Sequence, residues 1–182
     1  MTVETLEFPD ERDWLKVRRR ALVTVGKLPN PKKETELEWQ KRMLRCRHSP
    51  IRKLWFSFYI KDIPYWLHVE LVRHHVGIEK YVKSQRDDRN NNDIPRAEKP
   101  QGALVNMIID LNSETLLTLM NKRLCGAATK EMQELMLMIR KEVIKTNPEF
   151  EEFLVPMCVY IKGCNEFFSC NRKALFFQEE KL

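Results

Sequence analysis

Glycine is scarce in this chain, with only five residues in 182. That scarcity disfavours a turn-rich β-sandwich and favours helices. No apolar run of about 18 residues occurs, so a membrane-spanning helix is not expected. The N-terminal stretch MTVETLEFPDERDW is acidic, unlike the basic and then apolar start of a secretion signal, and a cytoplasmic protein is expected. Five cysteines in such a protein read better as thiols or metal ligands than as disulfides. Charge of one sign is not extreme either. The net charge of +6, from 32 basic and 26 acidic residues, suits a small anionic ligand as readily as it suits plain solubility. The aromatics fall in apolar runs that read as core rather than as an exposed stacking platform, so nucleic acid is not an expected partner. Apolar residues make up 43% and are evenly spread, enough for one domain with its own core.

What the chain does contain is regular local patterning. Residues 10–25 form a predicted helix with Asp10 as N-cap and Trp14, Val17 and Ala21 on one face. Three successive arginines, Arg18 to Arg20, read as a solvated edge. Residues 34–47 predict a second helix, stopped by His48-Ser49-Pro50 because the residue before proline avoids the α region. Leu54 to Ile60, LWFSFYI, is the clearest strand, apolar enough that both faces are expected to be covered. Asp62 to Pro64 reads as a turn, and the next helix as one face of Tyr65, His68, Val69 and Val72. Residues 87–99 read as a polar loop. Asn112 or Ser113 caps a helix ending near Arg123. Thr129 opens the longest helix, its stripe being Met132, Leu135, Met136, Ile139 and Val143. Asn147-Pro148 starts a short inward-facing turn, and the tail from Val155 reads as irregular. The predicted organisation is a domain over residues 1–154 with a cysteine-containing tail, 155–182, packed on it.

The most telling stretch is HVELVRHHVGIEKYVKSQRDDR, residues 68–89. Arg73, Arg86 and Arg89, the adjacent His74 and His75, and Ser84 lie within a short distance of one another in sequence. So much cationic donor capacity is costly to bury unpaired, and planar guanidinium groups grip phosphate oxygens two at a time. A multiply charged anion such as a phosphate is the simplest partner.

This stretch resembles the signature of the flavin-dependent thymidylate synthases. That signature opens on Arg-His-Arg and closes on Ser-x-Arg; here Arg73-His74 open it and Ser84-Gln85-Arg86 close it. His48-Ser49-Pro50 before LWFSFYI looks like the family's His-x-Thr-Pro segment before a Phe-Thr-Phe strand. Asn112 to Leu116, followed by Asn121-Lys122-Arg123, looks like its late Asn-x-x-Ser-Leu helix. The resemblance spans about residues 14–154. It departs from the family at His75, in place of Arg; at the middle of the signature, where GIEKY lacks the family's Ser and Asn; in a spacing longer by one residue; at Glu114, in place of an Arg; and at Arg52-Lys53, in place of Glu-His.

The resemblance implies an α+β fold, a central antiparallel sheet with flanking helices, assembled as a homotetramer. It implies dUMP as nucleotide, FAD as cofactor, and methylenetetrahydrofolate and NADPH as co-substrates. By position, Glu70, Arg73, Ser84, Arg86, Arg96 and Arg123 would hold the nucleotide, with Ser84 and Arg123 nearest the chemistry. His48, Ser49, Arg73, His74, His75, Asn112 and Thr118 would line the flavin. A pyrimidine-nucleotide-binding protein on the same fold without flavin or catalysis is the alternative.

Cys158, Cys164 and Cys170 are separated by five intervening residues each in the tail. A zinc knuckle usually has two to four residues between ligands, so the spacing is suggestive only. With Cys125 as a fourth ligand, or Cys46 or His48 in its place, they would make a closed structural site for zinc; unrelated thiols are the alternative.

Overall fold

The computed structural model describes residues 1–30, 34–89 and 94–179. Among them, strands β1 (Thr2–Glu7), β2 (Trp55–Pro64), β3 (Ile78–Val82) and β4 (Leu104–Asn112) form one antiparallel sheet in the order β1-β2-β4-β3. The architecture is α+β, as the resemblance implies. The aromatic run forms β2, one of the sheet's two inner strands. Phe56, Phe58 and Ile60 of β2 are fully buried, with β1 on one side and β4 on the other.

Three strands were not anticipated from the sequence, and each has a reason. In β4, Val105, Met107, Ile109 and Leu111 alternate inward, but Ile108 on the other face blurs the period of two. β1 is an edge strand with a mostly polar, exposed pattern. β3 is short and carries Glu79 and Lys80 between its apolar residues. Asp62 does not turn the chain. It takes φ 54 in a bulge between Ile60 and Ile63, where its N–H donates to Asn106 Oδ1 at 2.9 Å, and the strand continues to Pro64.

The helices are α1 (Glu11–Thr24), α2 (Leu37–Arg45), α3 (Tyr65–Val72), α4 (Ser113–Arg123), α5 (Lys130–Thr146) and the short α6 (Met157–Tyr160) and α7 (Leu175–Glu179). Asp10 caps α1 in a complete capping box with Asp13, which satisfies two otherwise orphaned N–H groups. The α5 stripe expected from the sequence is buried throughout. The face of α3 differs from expectation: Leu67 and Leu71 are buried, while Val69 and Val72 are exposed. β2 feeds α3 with no intervening turn, and this sets the helix rotation. Trp14 donates its indole N–H to the buried Glu149 at 3.0 Å, which Asn147 also reaches at 3.0 Å, so the carboxylate is not left unsatisfied. Phe176 and Phe177 of the tail join the same core. Among the described residues no helix is long and apolar enough to cross a membrane.

Candidate functional site

The C-terminal end of α3 and the face of α4 meet around His74. Arg123 donates from Nε to His74 Nε2 at 3.2 Å and from Nη2 to the Glu70 carbonyl at 3.4 Å. Its Nη1 lies 4.0 Å from Glu70 Oε2. Three side chains singled out in the sequence, from elements some 50 residues apart, are thus one cluster. Lys80 on β3 donates to the His74 carbonyl. Sequence reasoning missed this lysine, although its place between Ile78 and Val82 on the inward face of a strand was the available signal.

Gly77 makes the arrangement possible. Its φ is +70, and a Cβ there would stand 2.2 Å from Asn112 Nδ2 and 2.5 Å from Thr115 Oγ1. The chain after α3 therefore passes directly over the start of α4. Asn112 accepts from the Thr115 N–H at 3.0 Å as N-cap, and Thr115 donates to the Val76 carbonyl at 2.7 Å. Beside this crossing lies a pocket of about 250 Å³ lined by Arg73, His74, His75, Glu114 and Thr118, with Val76 and Thr115. His48 and Ser49 do not line it. Asn112 lies beneath it, buried and committed to the helix cap.

Glu114 does line the pocket, and Arg47 answers it. The two charges are 3.9 Å apart, and Arg47 also donates to Asn121 Oδ1 and sits 4.8 Å over the Tyr160 ring. Arg47, with φ 47, was not among the expected residues. Its position directly before His48 was the only hint. The ion pair offsets the charge of the acid in the pocket wall, while Glu114 Oε2 and Arg47 Nε are buried without a hydrogen-bond partner.

The remaining expected residues lie apart from this cluster. Ser84 lines a cleft of about 60 Å³ with Gln85, Lys83 and Lys99 and accepts from the Arg86 N–H at 3.3 Å. Arg86 is held in a bidentate pair by Asp88, at 2.9 and 3.0 Å. Arg96 is exposed, and its backbone N–H donates to Asp87 at 2.8 Å. The expected residues thus fall mainly around two separate pockets, one lined by His74 and one by Ser84.

The donors around His74 fit part of a flavin dinucleotide. Arg73 and His75 can meet an anionic or ring-edge group, whereas the Thr115 and Thr118 hydroxyls already donate to the Val76 and Glu114 carbonyls. A volume near 250 Å³ is below the roughly 300–1,000 Å³ of whole-ligand pockets, so it does not enclose the complete cofactor. Glu114 disfavours a phosphate beside it.

Burial lowers the pKa of His74, and Arg123, Lys80 and His75 push it the same way. Burial, then Lys80, also lowers that of His68. A neutral His74 is what its geometry requires, since Nε2 accepts from Arg123. The consequence for stability has a definite sign. Below about pH 6.5 the unfolded chain binds protons that the folded chain resists. Stability is therefore full above that pH and falls as pH drops toward the lowered folded-state values. Urea unfolding at pH 7.5 and pH 5.5 is expected to show this loss, and His68→Asn/His74→Asn is expected to show less of it. Equal losses in the two proteins would refute the assignment.

The four tail-associated cysteines also gather. Cys158, Cys164 and Cys170 line a cleft of about 560 Å³, and Cys125 lies next to it through Gly126. Cys46 and His48, the substitutes considered for a fourth ligand, do not line it. In the side-chain positions seen, no three His, Cys, Asp or Glu among the described residues form a group able to hold a metal ion. Burial raises the Cys125 and Cys158 thiols. Burial also acts upward on Cys170, but N–H groups of Lys173, Arg172, Ala174 and Gly126 outweigh it and the net shift is downward.

The sheet order and the helices flanking it are the fold of solved flavin-dependent thymidylate synthases. The chain is similar to thymidylate synthase X (ThyX) from Helicobacter pylori, solved with FAD and dUMP, at TM-score 0.65 and 17% identity, covering 87% of this chain and 99% of that one. A second structure, of flavin-dependent thymidylate synthase ThyX from the same organism complexed with FAD and dUMP, matches at TM-score 0.65 and 16% identity over 85% and 98% of the chains. It is similar as well to the UMP/dUMP methylase PolB from Streptomyces cacaoi, bound with 5-Br dUMP, at TM-score 0.68 and 15% identity over 85% and 96%. No family model and no curated protein matches the sequence.

Proposed function

We propose that the chain is a pyrimidine-nucleotide enzyme of the thymidylate synthase type. It would transfer one carbon from methylenetetrahydrofolate to the uracil ring of dUMP, with FAD as cofactor and NADPH as reductant. The observation that carries this reading is the Glu70–His74–Arg123 cluster, formed in a fold shared with proteins solved with dUMP or 5-Br dUMP. Arg123 would face the nucleotide from a fixed position, because His74 and Glu70 hold its guanidinium. A preorganised cation near a uracil carbonyl stabilises charge that develops there. Ser84 would sit over the pyrimidine, and Arg73, Arg86 and Arg96 would grip the phosphate. His74, His75 and Thr118 would edge the flavin, with His48, Ser49 and Asn112 supporting them. When bound, the flavin supplies the hydride, so the protein's task is binding, orientation and exclusion of water.

Two separate pockets in one subunit suit a site completed by a neighbouring copy. Val69, Val72, Val76, Tyr81 and Leu104 are exposed by 44–77%, apolar surface that association would cover. A homotetramer is the expected assembly; a monomer in light scattering at micromolar concentration would contradict it.

Glu114 favours a second reading, nucleotide binding without flavin. Purified protein is expected to be yellow, to bind dUMP by calorimetry, and to form dTMP when given NADPH and methylenetetrahydrofolate. Glu114→Arg is expected to strengthen flavin binding by removing the acid from the pocket wall. Colourless protein that binds dUMP, and takes no flavin in either form, would leave only the second reading. Absence of dUMP binding would end both.

A further inference from the structure

Cys125 follows the end of α4, whereas Cys158, Cys164 and Cys170 belong to the tail and line one cleft, which the Cys125–Gly126 backbone approaches at Cys170. A Cβ on Gly126 would stand 2.7 Å from the Cys170 Cβ and 2.9 Å from its sulfur. Only glycine lets the Cys125–Gly126 backbone approach Cys170 this closely. Two tight turns face each other across that contact. The Ala128 N–H returns to the Cys125 carbonyl at 3.0 Å, and the Lys173 N–H to the Cys170 carbonyl at 3.1 Å. A third return, from the Gly163 N–H to the Cys158 carbonyl at 2.9 Å, brings the chain back at Cys164. Lys162, Asn171 and Arg172 adopt φ of 58, 49 and 60 to make these turns.

The surroundings suit a bound cation held by thiolates. Four thiolates around a divalent ion leave a net negative charge, and Lys162 and Arg172 line the same cleft. The N–H groups of Gly126, Arg172, Lys173 and Ala174 face the Cys170 sulfur, and such outer partners orient metal-bound sulfur. The sulfurs do not yet surround one point, but each swings on a single χ1 bond.

We propose that Cys125, Cys158, Cys164 and Cys170 bind one Zn²⁺, which draws the four sulfurs together and fastens the tail to the end of α4. A closed tetrahedral set of four cysteines is a structural site, not a catalytic one. Soft thiolate ligands select zinc over magnesium or calcium. The site lies two residues beyond Arg123, so the ion would also steady the helix end that carries that side chain. This inference is independent of the nucleotide and flavin readings, and its test uses neither ligand.

The test is elemental analysis of the full chain purified without chelator, together with Co²⁺ substitution. About one zinc per chain is expected, with thiolate-to-cobalt charge-transfer absorption in the cobalt form and a lower melting temperature in chelator. Serine at any of the four positions is expected to reduce zinc content at least about tenfold, whereas Cys46→Ser leaves it unchanged. Cys164→His, which keeps four ligands, is expected to retain the metal. If the serine variants do not fold, the wild-type cobalt spectrum decides: absence of the thiolate band overturns the proposal. Zinc-free wild-type protein overturns it too, as does substoichiometric zinc that none of the four substitutions affects.

Discussion

Arg123→Ala is expected to weaken dUMP binding about 10- to 150-fold. A hydrogen bond to a charged group contributes roughly 1.5–3 kcal/mol, and each 1.4 kcal/mol is about tenfold. The loss falls at the high end because Arg123 is only about a fifth exposed, with side-chain relative accessibility 20%, and water cannot easily replace it. Lysine is a poor substitute, since its compact ammonium lacks the planar fork that reaches His74 and Glu70 from separate nitrogens. His74→Ala is expected to act more weakly, by freeing the guanidinium rather than removing it. Titration calorimetry of dUMP against these variants separates the cases. Wild-type affinity in Arg123→Ala would remove the cluster from the nucleotide site.

Gly77→Ala is expected to destabilise the fold by about 2–4 kcal/mol. Three costs combine: a left-handed backbone unsuited to a side chain, loss of the Asn112 cap, and loss of the Thr115 hydrogen bond to Val76. For a chain of this size that corresponds to a melting temperature lower by roughly 5–15 °C. Gly26→Ala is the internal control. Its φ is +72, but nothing lies within 4 Å of the added Cβ, so it carries the backbone cost alone, about 1 kcal/mol. If thermal melts of the two variants coincide, the crossing over α4 is looser than the geometry indicates. Gly77→Ala is also expected to reshape the pocket, because Val76 and Thr115 are part of its wall.

Local chemistry made much of this protein legible from its residues. Asp10 and Asn112 cap helices because a short side-chain oxygen reaches a nearby N–H, whatever surrounds it. The α5 stripe and the LWFSFYI strand follow from period and apolarity alone. The order of motifs from His48 to Arg123 points to the fold that this chain shares with the ThyX and PolB structures. Contacts between distant segments were not legible in the same way. Period-two patterning does not say that β4 lies between β2 and β3, since register and neighbour are settled by which faces can be buried together. No spacing rule pairs Arg47 with Glu114, or sets His74 against Arg123. The His74–Arg123 contact exists because the close passage at Gly77 brings the end of α3 onto α4. The sequence alone thus determined which side chains carry charge and where helices begin. The tertiary structure decided which charges meet, because that depends on packing between elements far apart in the chain.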